Sequence, residues 1–210
     1  SMRFAPERTS INRMGRDGNP KMTMPTRFLL EKGQPELFQH LQSCRRVLDF
    51  GAGKSFDAQL LVERCELVEE GVSYDPYPRE GFEDRANHVE GFFNLVFCNF
   101  VLNVLETEEQ RRAAVMEALF LVRPGGYAMF SVRSDSEINK KSYATKVSND
   151  TFVSKKTKEW YTVQKGFSEP ELATFISGLS SNGHMDQIPL HKKPSRDCTM
   201  VLFRKRPPQS

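Results

Sequence analysis

Strand-type and helix-type patterns of apolar residues alternate along most of this 210-residue chain. Short apolar runs predict strands at 46–49, 71–75, 92–97 and 127–132, and around 185–190 and 198–203. Helix starts are predicted at Thr107 and Ser168, where a hydroxyl residue precedes acidic residues and then apolar residues at helical spacing. Strands that alternate with helices predict an α/β sandwich with a mainly parallel sheet.

The segment between the second and third of these strands is short. Asp75 and Phe92 lie 17 positions apart, which is little chain for a complete helix and strand. We therefore expect one strand of the sheet to be reduced or missing here, with 88–90 as its remnant.

The first 44 residues differ in composition from the rest of the chain. Residues 2–26 hold few large apolar groups and many glycines and prolines, which predicts an extended arm. The apolar pattern from 28 to 41 predicts one or two short helices. The predicted organisation is an N-terminal arm with cap helices at 2–44 and a main domain at 45–206. A lysine-rich segment with interleaved aromatic residues is inserted in that domain at 134–166.

The most informative stretch follows the first predicted strand, where RVLDFGAGKS occupies 46–55. Gly51 and Gly53 end the strand just before a helix, and a Cβ there would block both the turn and the approach of a ligand. A phosphate-binding P-loop needs glycine at 48, which is leucine, and a dinucleotide fingerprint needs glycine at 56, which is phenylalanine. Both of these nucleotide motifs are therefore disfavoured.

The second predicted strand ends in Asp75, 24 residues after Gly51. A carboxylate in this position can accept hydrogen bonds from the ribose hydroxyls of a bound nucleoside. The alternative is an aspartate that only forms a turn before Pro76. The position of Asp75 after a glycine loop favours the ribose.

These features resemble the motifs of class I S-adenosylmethionine (SAM) methyltransferases. Asp49, Gly51 and Gly53 match D/E-x-G-x-G-x-G, and Ser55 replaces its last glycine. The run FNLVFCNFVLNVLE at 93–106 is similar to the strand that ends beside the methyl group, and LVRPGGYAMFSV at 121–132 resembles the following helix end and fifth strand. The resemblance implies a Rossmann-like, three-layer α/β fold. Its mainly parallel, seven-stranded sheet would have a C-terminal antiparallel hairpin and a reduced third strand.

The resemblance also implies a SAM-dependent methyltransferase with SAM as its cofactor and no metal. The carboxylate that contacts the adenine amino group in this family has only Asp84 and Glu90 as candidates here. The cofactor-binding residues that the resemblance implies are Asp49, Gly51, Ala52, Gly53, Asp75, Pro76, Asn99 and Phe100.

Asn99 and Asn103, after the fourth strand, are the predicted catalytic residues. A dedicated base is not required, because holding an activated methyl group in line with its acceptor supplies most of the acceleration. DNA amino-methylating enzymes carry D/N-P-P-Y/F here; Asn99 and Phe100 match its ends, but both prolines are missing. A nucleophilic cysteine would follow proline, whereas Cys98 follows Phe97, so we interpret Cys98 as a small buried apolar residue.

A nucleic acid base or ribose is the predicted methyl acceptor. Residues 139–165 carry a surplus of five basic residues, as do 191–206. Aromatic rings stack on an unpaired base, while lysines pair with phosphates. The predicted contacts are Lys140, Lys141, Lys155, Lys156, Trp160 and Tyr161. A solvated lid is the alternative for the inserted segment. A methyltransferase acting on a small molecule or a protein, or a non-catalytic SAM-binding protein, is the alternative for the whole chain.

A narrower resemblance is to DNA phosphorothioation-associated methyltransferases. It implies a bacterial or phage protein that works near DNA-modification systems. It rests on the phrases RTSINR at 8–13, VLDFGAG at 47–53, YDPY at 74–77, VLNVLE at 101–106 and QKGFSEPEL at 164–172.

Composition bears on the cellular compartment. No apolar run approaches the length of a membrane span and the N-terminus lacks an apolar signal segment, so a cytoplasmic protein is expected. Four cysteines are scattered without C-x-x-C spacing, which is typical of free thiols in a reducing compartment.

Overall fold

A computed structural model describes residues 2–11, 13–41, 45–66, 68–76, 88–139, 145–146, 151–180 and 184–209. Its helices are α1 (Met24–Phe28), α2 (Pro35–Leu41), α3 (Asp57–Arg64), α4 (Glu108–Leu121), α5 (Asp135–Asn139) and α6 (Glu169–Leu179). Its strands are β1 (Arg3–Phe4), β2 (Arg46–Phe50), β3 (Glu70–Tyr74), β4 (Phe93–Asn99), β5 (Val122–Arg133), β6 (Thr145–Lys146), β7 (Thr151–Lys156), β8 (Trp160–Lys165), β9 (Met185–Ile188) and β10 (Cys198–Lys205). Short helical turns lie at Pro6–Thr9, Leu29–Gly33 and Leu102–Val104. No helix within these ranges has the length and apolar composition needed to cross a membrane.

Within the described residues, six strands form the main sheet, in the spatial order β3-β2-β4-β5-β10-β9. β2 pairs in parallel with β3 and β4, and β4 pairs in parallel with β5. β10 is antiparallel to both β5 and β9, so the last two strands close the sheet as a hairpin. The expected α/β fold, with a mainly parallel sheet and a C-terminal antiparallel hairpin, is therefore confirmed.

The stretch between Asp75 and Phe92, where the sequence predicts a reduced or missing third strand, is only partly described. Residues 88–92 contain no strand, and 77–87, which include the adenine-contact candidate Asp84, lie outside the described residues. Within the described part of the chain, β3 is the edge strand on this side of the sheet. The other candidate, Glu90, is exposed in the turn before β4 and is not part of the cleft described below.

Helices cover both faces of the main sheet, which is why its central strands are almost wholly apolar. Along β2, Val47 packs into the core beneath α3, and Leu48 packs into the core beneath α4 and α6. Along β4, Leu95 and Val96 repeat this alternation. The sheet and its two helical layers make up the expected three-layer sandwich.

A second sheet joins the N-terminal arm to the inserted segment. β1 pairs in parallel with β8, and β7 lies antiparallel between β8 and β6. The N–H of Arg3 donates to the carbonyl of Glu159 at 2.7 Å, and the N–H of Ala5 donates to the carbonyl of Tyr161 at 2.9 Å. Ala5 is fully buried. Backbone pairing therefore attaches the arm to a segment that is distant in sequence.

Close packing of α3 against β3 requires glycine at position 71. A Cβ on Gly71 would stand 2.6 Å from the carbonyl oxygen of Ala58 and 2.9 Å from Val62 Cγ2. We predict that Gly71→Ala lowers the free energy of unfolding by about 1–3 kcal/mol, because the helix must move away from the strand. Urea denaturation measures this change.

Gly178→Ala is the matched control, because nothing lies within 4 Å of a Cβ at this position in α6. Alanine is the better helix former, so this variant should match the parent or exceed its stability by up to about 1 kcal/mol. Equal unfolding free energies for Gly71→Ala and the parent would contradict the close approach of α3 to β3.

Candidate functional site

An open cleft lies at the carboxyl ends of the parallel strands, beside β2. β3 and β4 lie on opposite sides of β2, so the strand order reverses there. Ligands of open α/β sheets bind at such switch points. The cleft holds about 920 Å³, including the space at its open mouth. Its walls come from the loops after β2, β3 and β4, the end of β5, β8 and the N-terminal arm.

The loop after β2 has the predicted strand-turn-helix form, and its turn depends on two glycines. Gly51 has a φ of +76° and Gly53 a φ of +58°, values that residues with a Cβ rarely adopt. A Cβ on Gly51 would also overlap Val101 Cγ2. The N–H groups of Gly51 and Ala52 donate to the carbonyl of Tyr74 at 2.9 and 2.8 Å. The end of β3 therefore holds the loop while the glycines leave its backbone bare at the cleft wall.

Asp75 follows β3 and lines the cleft together with Pro76. Its Oδ2 accepts a hydrogen bond of 2.7 Å from the N–H of Gly53. This bond joins the glycine turn and the acidic strand end, which the sequence identifies separately. An ionised carboxylate has about four acceptor positions, and hydroxyl groups of a ligand are donors that it can accept.

Asp49 and Asn99 lie deeper in the cleft, at the ends of β2 and β4. Asp49 is almost completely buried. Asn99 Nδ2 donates to Thr26 Oγ1 at 2.9 Å, and Asn99 Oδ1 accepts from Ser131 Oγ at 2.7 Å. The observed contacts of Asn99 tie β4 to α1 and β5, and its catalytic and cofactor-binding roles stay predictions.

Phe100 adopts a left-handed backbone conformation directly after β4, with a φ of +56°. Apart from Phe100, only glycines have a positive φ in the part of the chain that the structure describes. The N–H of Phe100 donates to the carbonyl of Ser131 at 2.8 Å, and Arg133 Cζ lies 5.1 Å from the centre of the phenylalanine ring. Such a conformation costs about 1–3 kcal/mol and is typical of functional sites. The turn places Phe100 and Asn103 in the same cleft wall.

Asn103 brings a buried hydrogen-bond acceptor to this wall. Its side chain is 1% exposed, and its Nδ2 donates to Gln164 Oε1 at 2.9 Å. Within the described ranges, Asn103 Oδ1 is buried and accepts no hydrogen bond. A buried polar atom left in this state costs about 1–3 kcal/mol. An N–H or O–H group of a ligand would remove that cost.

Sequence reasoning does not identify Arg13, Gln164 or Arg133, which all line the cleft. Arg13 belongs to the N-terminal arm, and Gln164 belongs to β8 of the inserted segment. Ser10 of the same arm lies over the glycine loop, with its Oγ 3.0 Å from a Cβ placed on Gly53. These segments are distant from the loop in sequence, so no local spacing indicates that they meet. The phrases RTSINR at 8–13 and QKGFSEPEL at 164–172, which carry the narrower resemblance, are the available signals for Arg13 and Gln164.

The two aromatic residues predicted to stack on bases contact other side chains of the protein. Arg8 Cζ lies 5.1 Å from the centre of the Trp160 ring. The hydroxyl of Tyr161 donates to Glu106 Oε1 at 2.5 Å, and this hydrogen bond raises the pKa of Tyr161. A base stacked on the same face of Trp160 would compete with Arg8, whereas the contact of Tyr161 with Glu106 involves its hydroxyl group and not the face of its ring.

The four lysines predicted to contact nucleic acid are described only in part. Lys156 is exposed at the end of β7, and Lys155 precedes it on the same strand. Lys140 and Lys141 lie outside the described residues. Contact of these lysines with nucleic acid therefore stays a prediction.

Cys98 lies in the core strand β4 and is 1% exposed. Burial, with a smaller contribution from the charge of Asp49, raises the pKa of its thiol. Burial is also the main cause that raises the pKa of Cys198 to about 12. The thiolate is the reactive form of cysteine, so both side chains are inert near neutral pH. The interpretation of Cys98 as a small buried apolar residue is confirmed.

Solved structures with a similar fold include several SAM-dependent methyltransferases. Burkholderia thailandensis 1,6-didemethyltoxoflavin-N1-methyltransferase, with 1,6-didemethyltoxoflavin and S-adenosylhomocysteine bound, has a TM-score of 0.58 and 18% identity, over 82% of this chain and 76% of that chain. A SAM-dependent methyltransferase from Methanosarcina mazei has a TM-score of 0.57 and 13% identity, over 83% and 98% of the two chains. One from Clostridium acetobutylicum has a TM-score of 0.55 and 10% identity, over 87% and 97%. Neither protein-family models nor curated protein sequences match this chain.

The chain therefore has the class I methyltransferase fold. Its sheet has the mostly parallel strands and the C-terminal antiparallel hairpin of that fold. Identities between 10% and 18% establish the fold alone. The chemistry of this chain has to be argued from its own cleft.

The buried cysteines provide a test of the structure around the cleft. We predict that iodoacetamide at about pH 8 leaves Cys98 and Cys198 unmodified in the folded protein and alkylates both after unfolding, because burial and a raised pKa suppress the thiolate. Mass spectrometry of proteolytic peptides measures the modification of each cysteine. Rapid alkylation of native Cys98 would contradict its place in the core and would make a nucleophilic role of Cys98 tenable again.

Proposed function

We propose that this protein is a SAM-dependent methyltransferase. The observation that supports the proposal most directly is the hydrogen bond that joins Gly53 to Asp75 at the switch point of the sheet. It sets a bare loop backbone beside a carboxylate suited to ribose hydroxyls. The residues that would hold SAM are Asp49, Gly51, Ala52, Gly53, Asp75, Pro76, Asn99 and Phe100.

The lining of the cleft agrees with such a ligand. Gly51 and Gly53 allow the close packing around the loop, since a Cβ would overlap Val101 at the first position and press on Ser10 at the second. Asp75 lines this cleft, and a carboxylate accepts hydrogen bonds from hydroxyl groups such as those of a ribose.

The residues after β4 would position the methyl acceptor. SAM supplies an activated methyl group, so the protein mainly has to hold donor and acceptor in line. Asn103 would accept a hydrogen bond from an N–H or O–H of the acceptor through its buried Oδ1. Gln164 would keep the asparagine amide in this orientation by accepting from its Nδ2.

Coverage of the cleft by the arm favours a small acceptor molecule. Residues of the arm and Gln164 line the same cleft as the glycine loop, so the acceptor has to fit among them. The rings of Trp160 and Tyr161 contact Arg8 and Glu106. The Burkholderia neighbour binds the small molecule 1,6-didemethyltoxoflavin, which is a precedent for such an acceptor on this fold.

A nucleic acid base or ribose is the second candidate acceptor. The observation that favours it is the surplus of five basic residues in each of the segments 139–165 and 191–206. The resemblance to DNA phosphorothioation-associated methyltransferases agrees with this candidate and with a bacterial or phage origin. A cytoplasmic location also belongs to this proposal. A non-catalytic SAM-binding protein is the third alternative.

Cofactor binding tests the proposed site. We predict that S-adenosylhomocysteine binds the parent protein and that Asp75→Ala weakens its affinity about 10-fold or more, because both the ribose acceptor and the bond to Gly53 are lost. Gly51→Val should weaken the affinity at least as much, because a valine at this left-handed position would clash with Val101 and distort the loop. Isothermal titration calorimetry measures each dissociation constant.

The control is Asp186→Ala, which removes an exposed carboxylate paired with Arg206 on the hairpin. Its affinity for S-adenosylhomocysteine should equal that of the parent. Circular dichroism spectra confirm that each variant is folded. A folded parent that binds neither SAM nor S-adenosylhomocysteine would contradict the proposed function.

The class of acceptor is tested by transfer of a labelled methyl group from SAM. We predict that label enters a small-molecule extract in preference to DNA or RNA, and that Asn103→Leu lowers transfer about 10- to 100-fold, because it removes the buried acceptor while keeping the size. Label in DNA or RNA, with binding that weakens steeply as salt is raised, would support the second candidate instead. Label in none of these pools would support the non-catalytic alternative.

A further inference from the structure

Arg13 is a half-buried cation in the wall of the cleft, on the N-terminal arm. The charged groups that act on it are Asp57, Arg133 and Asp49. Among the residues that the structure describes, none forms a hydrogen bond or an ion pair with its guanidinium group. Five N–H donors of a side chain partly removed from water are therefore left for a ligand.

The carboxylate with the strongest effect on Arg13 already has other partners. Asp57 is completely buried, and it accepts hydrogen bonds from the N–H of Thr23 at 2.8 Å and from Thr26 Oγ1 at 2.6 Å. Burial lowers the pKa of Arg13, and the nearby positive charge of Arg133 lowers it further. The negative charges of Asp57 and Asp49 act in the opposite direction. An anion bound at Arg13 would offset both its burial and its repulsion by Arg133.

The position of Arg13 agrees with one end of the proposed ligand. Asp75 and Arg13 line the same cleft, and Arg13 acts electrostatically with Asp49 and with Arg133 at the end of β5. An adenosyl amino acid with its ribose at Asp75 would extend its amino acid group within this cleft. The wall there carries both signs of charge, with the carboxylate of Asp49 and the guanidinium of Arg13.

We propose that Arg13 binds the carboxylate of the SAM amino acid group. This inference rests on the proposed function. The amino acid group is a zwitterion, so its ammonium and carboxylate complement the charges of Asp49 and Arg13. A guanidinium group donates two parallel hydrogen bonds to a carboxylate, a geometry that an ammonium group does not reproduce. The N-terminal arm then forms part of the cofactor site.

Two ligands that differ only in the carboxylate test the inference. Calorimetry measures the affinities of SAM and of decarboxylated SAM for the parent, Arg13→Gln and Arg13→Lys. We expect Arg13→Gln to weaken SAM binding about 10- to 100-fold and to change the affinity for decarboxylated SAM by less than about twofold. Arg13→Lys should lose less affinity for SAM than Arg13→Gln, because it keeps the charge but not the fork.

Arg16→Gln is the matched control, because it removes the same charge from an exposed residue of the same arm, outside the cleft. It should leave both affinities unchanged. An equal loss of affinity for both ligands in Arg13→Gln, or no loss for SAM, would overturn the inference while leaving the proposed function in place. Failure of the folded parent to bind SAM would instead overturn the proposed function, and the role of Arg13 with it.

Discussion

The hydrogen bond from the Gly53 N–H to the Asp75 carboxylate is the contact on which the arrangement of the cleft depends. It exists because the parallel register of β2 and β3 pairs Phe50 with Tyr74, so that the following loops begin at the same level. The Tyr74 carbonyl holds the first N–H groups of the glycine loop, and Asp75 holds the next. The backbone of the glycine loop and the carboxylate of Asp75 are thereby kept together at the point where the strand order reverses.

Three segments distant in sequence complete the site around this pair of loops. The cap helix α1 and the residue before it supply Thr26 and Thr23, which satisfy the buried carboxylate of Asp57 and contact Asn99. The inserted segment supplies Gln164 through β8, and the N-terminal arm is attached to the same strand by backbone pairing. Because buried polar groups need partners, these contacts constrain the side chains of the cleft as well as its shape.

Local sequence patterns predicted much of the fold. The glycine turn after β2, the acidic end of β3 and the capped start of α4 at Thr107 all lie within a few residues of the signals that predict them. The apolar run of β4 reflects its burial on both faces. The parallel pairing of β2 and β3 then places Asp49, the glycine loop and Asp75 in one cleft.

The sequence by itself therefore determined the class of fold and the glycine and carboxylate side of the cleft, because periodicity, turn residues and strand ends are local properties. Only the tertiary structure decided that the arm residue Arg13 faces this cleft, that Gln164 holds Asn103, and that Trp160 and Tyr161 contact Arg8 and Glu106. These contacts join residues that are far apart in the chain. They depend on strand pairing between the arm and the inserted segment, for which no short-range spacing gives a signal.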